Sequence, residues 1–190
     1  MDYLRLGWNE VETACKSVAD EIKTRILNRH VLVGISRGGL VPLRLISDYL
    51  LDMHVGTMGV RFYLSPGETA KKPELLFPVQ SEIEGKNIIL VDDISDSGES
   101  LIFAKEHLEK SGALEIVSLA LYTKPKTKLT PDIYYKKTSE WVIFPWEVQE
   151  TIKKIILNSC DELTAVDELK TAGFTEDEIQ KSTKERFEEG

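Results

Sequence analysis

Apolar and polar residues follow two rhythms along this chain, and the switches between them outline its elements. Val11, Ala14, Val18, Ile22 and Ile26 recur at spacings of three and four, which predicts an amphipathic helix over residues 10–27 with Asn9 as N-cap. The apolar run 31–35 predicts a short buried strand, and 40–51 the next helix, which admits Pro42 in its first turn. Residues 55–62 predict a second strand, 87–91 a third and 116–122 a fourth, with a helix over 101–110 between the last two. Residues 133–135 and 141–144 read as short and extended, and 148–157 as helical. The stretch 64–81 holds Pro66, Gly67, Pro73, Pro78 and Lys71-Lys72 and follows neither rhythm. A loop that long inside a compact domain is usually a lid or a disordered segment. Strands alternating with helices predict an α/β fold, a mostly parallel sheet with helices on both faces. Ligands of such sheets gather at the carboxyl ends of the strands, so the ends at Ile35, Val91 and Tyr122 are expected to converge on one site.

The pattern changes again near residue 159. Leu163, Val166 and Leu169 form an apolar stripe, Gly173 supplies a stop, and Thr175 to Glu178 reads as a capping box with Phe174 as its hydrophobic staple. The expected organisation is a main domain over 1–158 and an acidic helical extension over 159–190. Charge supports that division. Residues 161–190 carry ten acidic and four basic residues, a balance of −6, against −2 for residues 1–160. With the main domain nearly neutral, nucleic acid is not expected as its partner. The extension is expected to serve stability or assembly and to carry no catalytic group.

In 190 residues with 42% hydrophobic and 29% charged content, one α/β domain can bury a proper core. No apolar run approaches the roughly 20 residues that span a bilayer, and Met1-Asp2-Tyr3-Leu4-Arg5 lacks a basic-then-apolar leader pattern. A cytoplasmic protein with no membrane partner is expected. Cys15 and Cys160 stand far apart and are expected to be buried small apolar residues; His30, His54 and His107 have no metal-site spacing.

The most informative stretch is Ile88-Ile89-Leu90-Val91-Asp92-Asp93-Ile94-Ser95-Asp96-Ser97-Gly98-Glu99-Ser100. Four branched apolar residues predict a strand buried on both faces. Two carboxylates are expected to end it, and a loop rich in Ser, Asp and Gly leads into the next helix. Such a loop offers backbone N–H groups, hydroxyls and the positive end of a helix dipole, which together cradle phosphate. The acids before it are expected to face a metal or sugar hydroxyls instead. An ordinary turn with Asp96 or Ser97 as N-cap is the alternative, disfavoured because the acid pair, the third acid, the glycine and both flanking hydroxyls occur together. Ser36-Arg37-Gly38-Gly39 also follows a strand and opens a helix. Its glycines allow close backbone approach and Arg37 supplies a forked cation, so it reads as a second phosphate loop.

Val91 to Ser100 resembles the phosphoribosyl-pyrophosphate (PRPP) motif of the type I phosphoribosyltransferases, with Ser97 and Ser100 where threonines are usual. The resemblance covers roughly residues 8–150. It implies that residues 1–158 form a domain of that fold with a hood over about 123–147. Asp92, Asp93, Ser95, Asp96, Ser97, Gly98, Glu99 and Ser100 would bind PRPP and its 5′-phosphate. Ser36, Arg37, Gly38 and Gly39 would bind pyrophosphate on a loop that often contains a cis peptide bond. Lys124-Pro125 and the segment Trp141-Val142-Ile143-Phe144-Pro145-Trp146-Glu147 match the 6-oxopurine branch, closest to the xanthine-guanine and hypoxanthine enzymes. There Lys124 would contact the purine oxygen, Trp141 would stack on the base beside Val142, and Glu147 would sit near base and metal. Trp8 is part of the same pattern. Mg2+ is the implied cofactor, held near Asp92 and Asp93 through ribose hydroxyls or water, with Glu147 as a further donor. Tyr63, Lys71 and Lys72 belong to the implied lid, whose usual Ser-Tyr pair is replaced here by Phe62-Tyr63.

The implied reaction joins a purine base and PRPP into a purine nucleoside 5′-monophosphate and pyrophosphate, as in purine salvage, with Asp96 handling the N7 proton. A homo-oligomer, dimer or tetramer, is expected. Two alternatives stay open: an adenine-specific enzyme on the same scaffold, and a PRPP-binding regulatory protein without catalysis. Lys124 favours a 6-oxo acceptor over the N6 donor of adenine, and a sensor of PRPP alone would not need a base site.

Overall fold

The computed structural model of the chain describes residues 2–25, 30–51, 53–63 and 72–187. Its elements run β1 (Tyr3–Arg5), α1 (Trp8–Arg25), β2 (His30–Ser36), α2 (Leu40–Tyr49), β3 (His54–Tyr63), β4 (Lys72–Phe77), β5 (Asn87–Ser95), α3 (Glu99–Lys110), β6 (Glu115–Thr123), β7 (Ile133–Lys137), β8 (Trp141–Ile143), α4 (Val148–Asn158), α5 (Glu162–Thr171) and α6 (Glu176–Phe187). The chain divides into two compact units, one of residues 12–138 and one of residues 1–11 with 139–190. The extension shares the second unit with β1, β8 and α4.

The larger unit is built on a sheet of order β4-β3-β2-β5-β6-β7. All pairings are parallel except β3 with β4. The central strands β2 and β5 are buried on both faces because helices cover both. Val31, Val33, Ile35, Ile88 and Leu90 pack with Leu101, Ala104 and Leu108 of α3. On the opposite face a side chain at Gly34 would run into Leu43 of α2, 2.8 Å away. Parallel neighbours need a crossover, and the chain leaves β2 toward β3 on one side and returns to β5 on the other. The switch point thus lies between the carboxyl ends of β2 and β5, where α/β sheets bind ligands.

Three elements depart from the sequence expectation. Strand β4 occupies residues expected to be loop. Its burial alternates residue by residue, and Pro73 is tolerated because β4 is an edge strand. Strand β5 runs past Val91 to Ser95, so the acid pair lies on the strand and does not end it. Strand β7 completes the main sheet, so the expected hood at 123–147 is divided between the two units.

The smaller unit carries β1 and β8 as a parallel two-stranded ladder, with Tyr3 opposite Trp141, Leu4 opposite Val142 and Arg5 opposite Ile143. Its core joins Ile143, Ile152, Ile155 and Ile156 to Ala165, Leu169, Ala172, Phe174 and Ile179 of the extension. Helix α5 starts at Asp161, whose carboxylate accepts from the Thr164 N–H at 2.8 Å. It ends at Gly173 in the left-handed region, with Phe174 N–H bonded to Leu169 and Gly173 N–H to Lys170. The capping box forms as read: the Glu178 carboxylate accepts from Thr175 N–H at 2.8 Å. Leu163 is instead exposed, and Ala165 takes its place in the apolar stripe. Helix α1 begins at Trp8, ahead of the expected cap Asn9, and the Glu10 carboxylate takes the Gly7 N–H. Cys15 is buried, which pushes its thiol up to about 12, whereas Cys160 is exposed against expectation.

Candidate active site

In the larger unit a pocket of about 270 Å3 opens at the carboxyl end of β5. Asp92, Asp93, Ile94 and Ser95 line it from the strand, Asp96, Ser97 and Gly98 from the loop, and Ser100 and Leu101 from α3; Phe62 of β3 closes one side. Because side chains alternate along a strand, Asp92 lies on the α3 face with Leu90, and Asp93 on the α2 face with Ile89. Both carboxylates are buried, and Asp92 accepts the Asp93 N–H at 3.0 Å.

The 36–39 loop comes to Asp93 directly. A side chain at Gly38 would fall on the Asp93 carboxylate, and one at Gly39 on the Val91 carbonyl and the Ile35 backbone. Glycine is required at both positions because the loop lies against the end of β5. The Ser36–Arg37 peptide bond is cis. Gly39 N–H returns to Ile35 at 2.9 Å and Leu40 N–H to Arg37 at 3.1 Å, which turns the chain into α2. Helix α2 has Gly39 as N-cap and α3 has Gly98, and neither shows a side-chain cap hydrogen bond. Two helix N-termini therefore present backbone donors and their positive dipole ends beside two carboxylates.

The loop after β5 is held from behind. Gly98 is in the left-handed region, and a side chain there would meet Thr127 and Leu129. Ser95 is buried, and its hydroxyl donates to the Leu129 carbonyl at 2.8 Å and pairs with Thr127 Oγ1 at 2.8 Å. Its side chain thus braces the loop, a role the sequence reading did not give it. Ser97 Oγ accepts from Glu99 N–H at 3.3 Å, and Glu99 pairs with Lys128 at 2.5 Å. Asp96 lines the pocket from the loop and is exposed. Lys124 N–H bonds the Ser95 carbonyl at 3.0 Å, which fixes Lys124 next to the same loop. The bracing segment 127–129 carries no motif or rhythm that could have found it, whereas the wall residue Phe62 ends the expected strand 55–62 and belongs to the replaced lid pair.

Of the expected lid residues, Tyr63 and Lys72 face each other in the β3–β4 register, so Lys72 opens a strand; Lys71 lies outside the described residues. Trp141, Val142 and Glu147 belong to the smaller unit. Trp141 starts β8 on the same side as Ile143 and stays more than a third exposed, with the Lys154 ammonium 5.9 Å from its ring centre. Val142 is buried, and Glu147 is the N-cap of α4. Trp146 stacks on Phe144 at 4.7 Å and tilts against Trp8 at 6.0 Å, which explains why Trp8 accompanies this segment.

Among the described residues no three His, Cys, Asp or Glu side chains gather into a cluster that could hold a metal alone. Asp92 and Asp93 supply hard oxygen donors that fit Mg2+, a cation that keeps waters and takes one or two carboxylates plus substrate oxygens. No described helix is long and apolar enough to cross a membrane.

Known proteins resemble this chain over most of its length. A family profile described as "Phosphoribosyl transferase domain" matches residues 7–152. A purine phosphoribosyltransferase from Pyrococcus horikoshii is 34% identical in a match covering 77% of this chain and 94% of that one, with a TM-score of 0.69. A xanthine-guanine phosphoribosyltransferase of Gluconobacter oxydans is 26% identical over 147 residues, 76% of this chain and 84% of that protein. One of Cereibacter sphaeroides is 31% identical over 121 residues, 62% and 68% of the two chains.

Proposed function

Because this chain belongs to the phosphoribosyltransferase family of pentosyl-transferring enzymes, we propose that it joins a 6-oxopurine to PRPP in purine salvage. The products are the purine nucleoside 5′-monophosphate and pyrophosphate, and guanine, xanthine and hypoxanthine are the candidate bases. One observation carries the reading: Gly38 of the first loop abuts the Asp93 carboxylate of β5, so the two proposed phosphate loops meet at the carboxyl ends of neighbouring strands.

In this mechanism the bond from the ribose anomeric carbon to pyrophosphate oxygen breaks as the bond to base nitrogen forms. Positive charge develops on the ribose and negative charge on the leaving group, so catalysis rests on positioning and electrostatics. The backbone donors at Gly98–Ser100 and the Ser97 and Ser100 hydroxyls hold the 5′-phosphate. Arg37 and the Gly38 N–H hold pyrophosphate. Asp92 and Asp93 orient the ribose hydroxyls and would hold Mg2+ through them or through water. When bound, Mg2+ supplies charge neutralisation for the departing pyrophosphate. Asp96 takes the N7 proton of the base, Lys124 donates to its exocyclic oxygen, and Trp141 stacks on its ring. The proposal extends to a cytoplasmic homo-oligomer.

Calorimetric titration with PRPP tests the premise. Binding is expected in the presence of Mg2+ and is expected to be lost in Gly38→Ala, whose methyl group falls on Asp93. A wild-type chain that binds neither PRPP nor purine nucleotide would overturn the reading.

A further inference from the structure

Strand β8 has only three residues and pairs with β1 alone among the described residues. A two-stranded ladder is marginal by itself, and parallel pairing is slightly weaker than antiparallel. What places Trp141 must therefore come from what grips β1 and from what packs on β8. In the smaller unit both come from the C-terminal helices and α4. The Tyr3 hydroxyl donates to the Glu168 carboxylate of α5 at 2.5 Å. Burial, together with that carboxylate, pushes the Tyr3 phenol up to about 12. Arg5 is held three ways: it pairs with Glu178 of α6 at 2.6 Å, donates to the Gly173 carbonyl at 2.5 Å, and lies 4.6 Å over the Phe174 ring. The ladder passes this hold across: Trp141 N–H bonds the Asp2 carbonyl at 2.8 Å, and Leu6 N–H bonds the Ile143 carbonyl at 3.0 Å. Ile143 is buried among α4, α5 and α6. Trp141 walls a cavity of about 150 Å3 shared with Tyr3, Lys154, Asn158 and Glu168.

We propose that the extension is a positioning device for the base-stacking ring: Tyr3, Arg5, Glu168 and Glu178 set the placement of Trp141 through β1, and Lys154 fixes the indole plane. This inference rests on the reading of Trp141 as the residue that stacks on the purine. The five residues touch no substrate in it. Their loss moves the base subsite and leaves PRPP binding, which belongs to the other unit, unchanged.

The test uses the full-length chain with Tyr3→Phe, Arg5→Met, Lys154→Met and Lys154→Arg, alongside Trp141→Ala. In each, KM for the base, KM for PRPP and kcat are measured separately. Trp141 emission is obtained as the difference between each variant and its Trp141→Phe counterpart. Lys154 is half exposed and its substitution leaves the core intact, so that arm holds even if an Arg5 variant fails to fold. Lys154→Met is expected to raise KM for the base about two- to fivefold, the scale of one cation–π contact, and to shift Trp141 emission; Lys154→Arg restores both. Tyr3→Phe and Arg5→Met are expected to raise base KM with PRPP KM and kcat unchanged. The inference is overturned if these variants keep wild-type base KM and Trp141 emission while Trp141→Ala raises base KM. If Trp141→Ala itself leaves base KM unchanged, the stacking role is the part that fails, and the emission arm still decides whether the extension positions the ring.

Discussion

Asp92, Asp93 and Asp96 are three carboxylates within five residues, yet the fold gives each a different surrounding. The first two are buried on opposite faces of β5, and the third is exposed on the loop. Exposure beside phosphate donors suits a group that must reach the incoming base. Asp96→Asn keeps the shape and removes the proton acceptor, so kcat should fall by roughly a hundred- to ten-thousand-fold while PRPP affinity is kept. Pre-steady-state turnover together with PRPP titration checks this, and an unchanged kcat would refute the role. The residues of this site could be named from the sequence because a strand–acid–glycine–hydroxyl run has few other uses. Their division of labour could not. That Ser95 braces the loop through Leu129, and that Gly38 meets Asp93, are contacts between segments distant along the chain, and no local spacing encodes them.

At the scale of elements, the buried parallel strands and the helices that cover them followed from apolar rhythm, because strong periodicity and long range burial agree there. Strand β4 did not. Its six residues include a proline and a lysine, and it exists by pairing with β3 at a sheet edge, a tertiary cause that local propensity does not carry. Strand β1 is set in the same way by β8. The extension shows how such short elements are held. Arg5, as hydrogen-bond and charge partner, holds the Glu178 carboxyl down at about 2 against an ordinary value near 4.5. The depressed value means that the pair stabilises the fold in full above about pH 4.5 and loses that contribution as pH falls toward 2. Glu178 keeps a 30% exposed side chain, so Glu178→Gln should cost no more than about 1 kcal/mol at neutral pH. The difference in melting temperature between the two proteins should shrink below pH 4.5; a gap that widens on acidification would reverse the assignment. Truncation after Asn158 removes five members of the smaller unit's core. Thermal melting should fall, and KM for the base should rise with kcat per folded site retained; a folded truncate without activity would show that the extension reaches the chemistry.

For the molecule as a whole, the division between residues 12–138 and the unit formed by the two chain ends separates two tasks in this account. On the proposed reading the sheet unit would bind PRPP through its acids and loops, and the terminal unit carries Trp141, the ring proposed to stack on the base. Charge marked the extension as a solvated acidic surface and said nothing of what its apolar stripe packs on. A two-part design of this kind makes substrate choice the central claim. The most direct measurement mixes the chain with PRPP, Mg2+ and, separately, guanine, xanthine, hypoxanthine or adenine, and follows nucleotide and pyrophosphate together. The account predicts equal amounts of both products from at least one 6-oxopurine, with adenine at least about tenfold slower, and loss of that preference in Lys124→Ala. Preference for adenine, or no nucleotide from any base by a chain that binds PRPP, would contradict it.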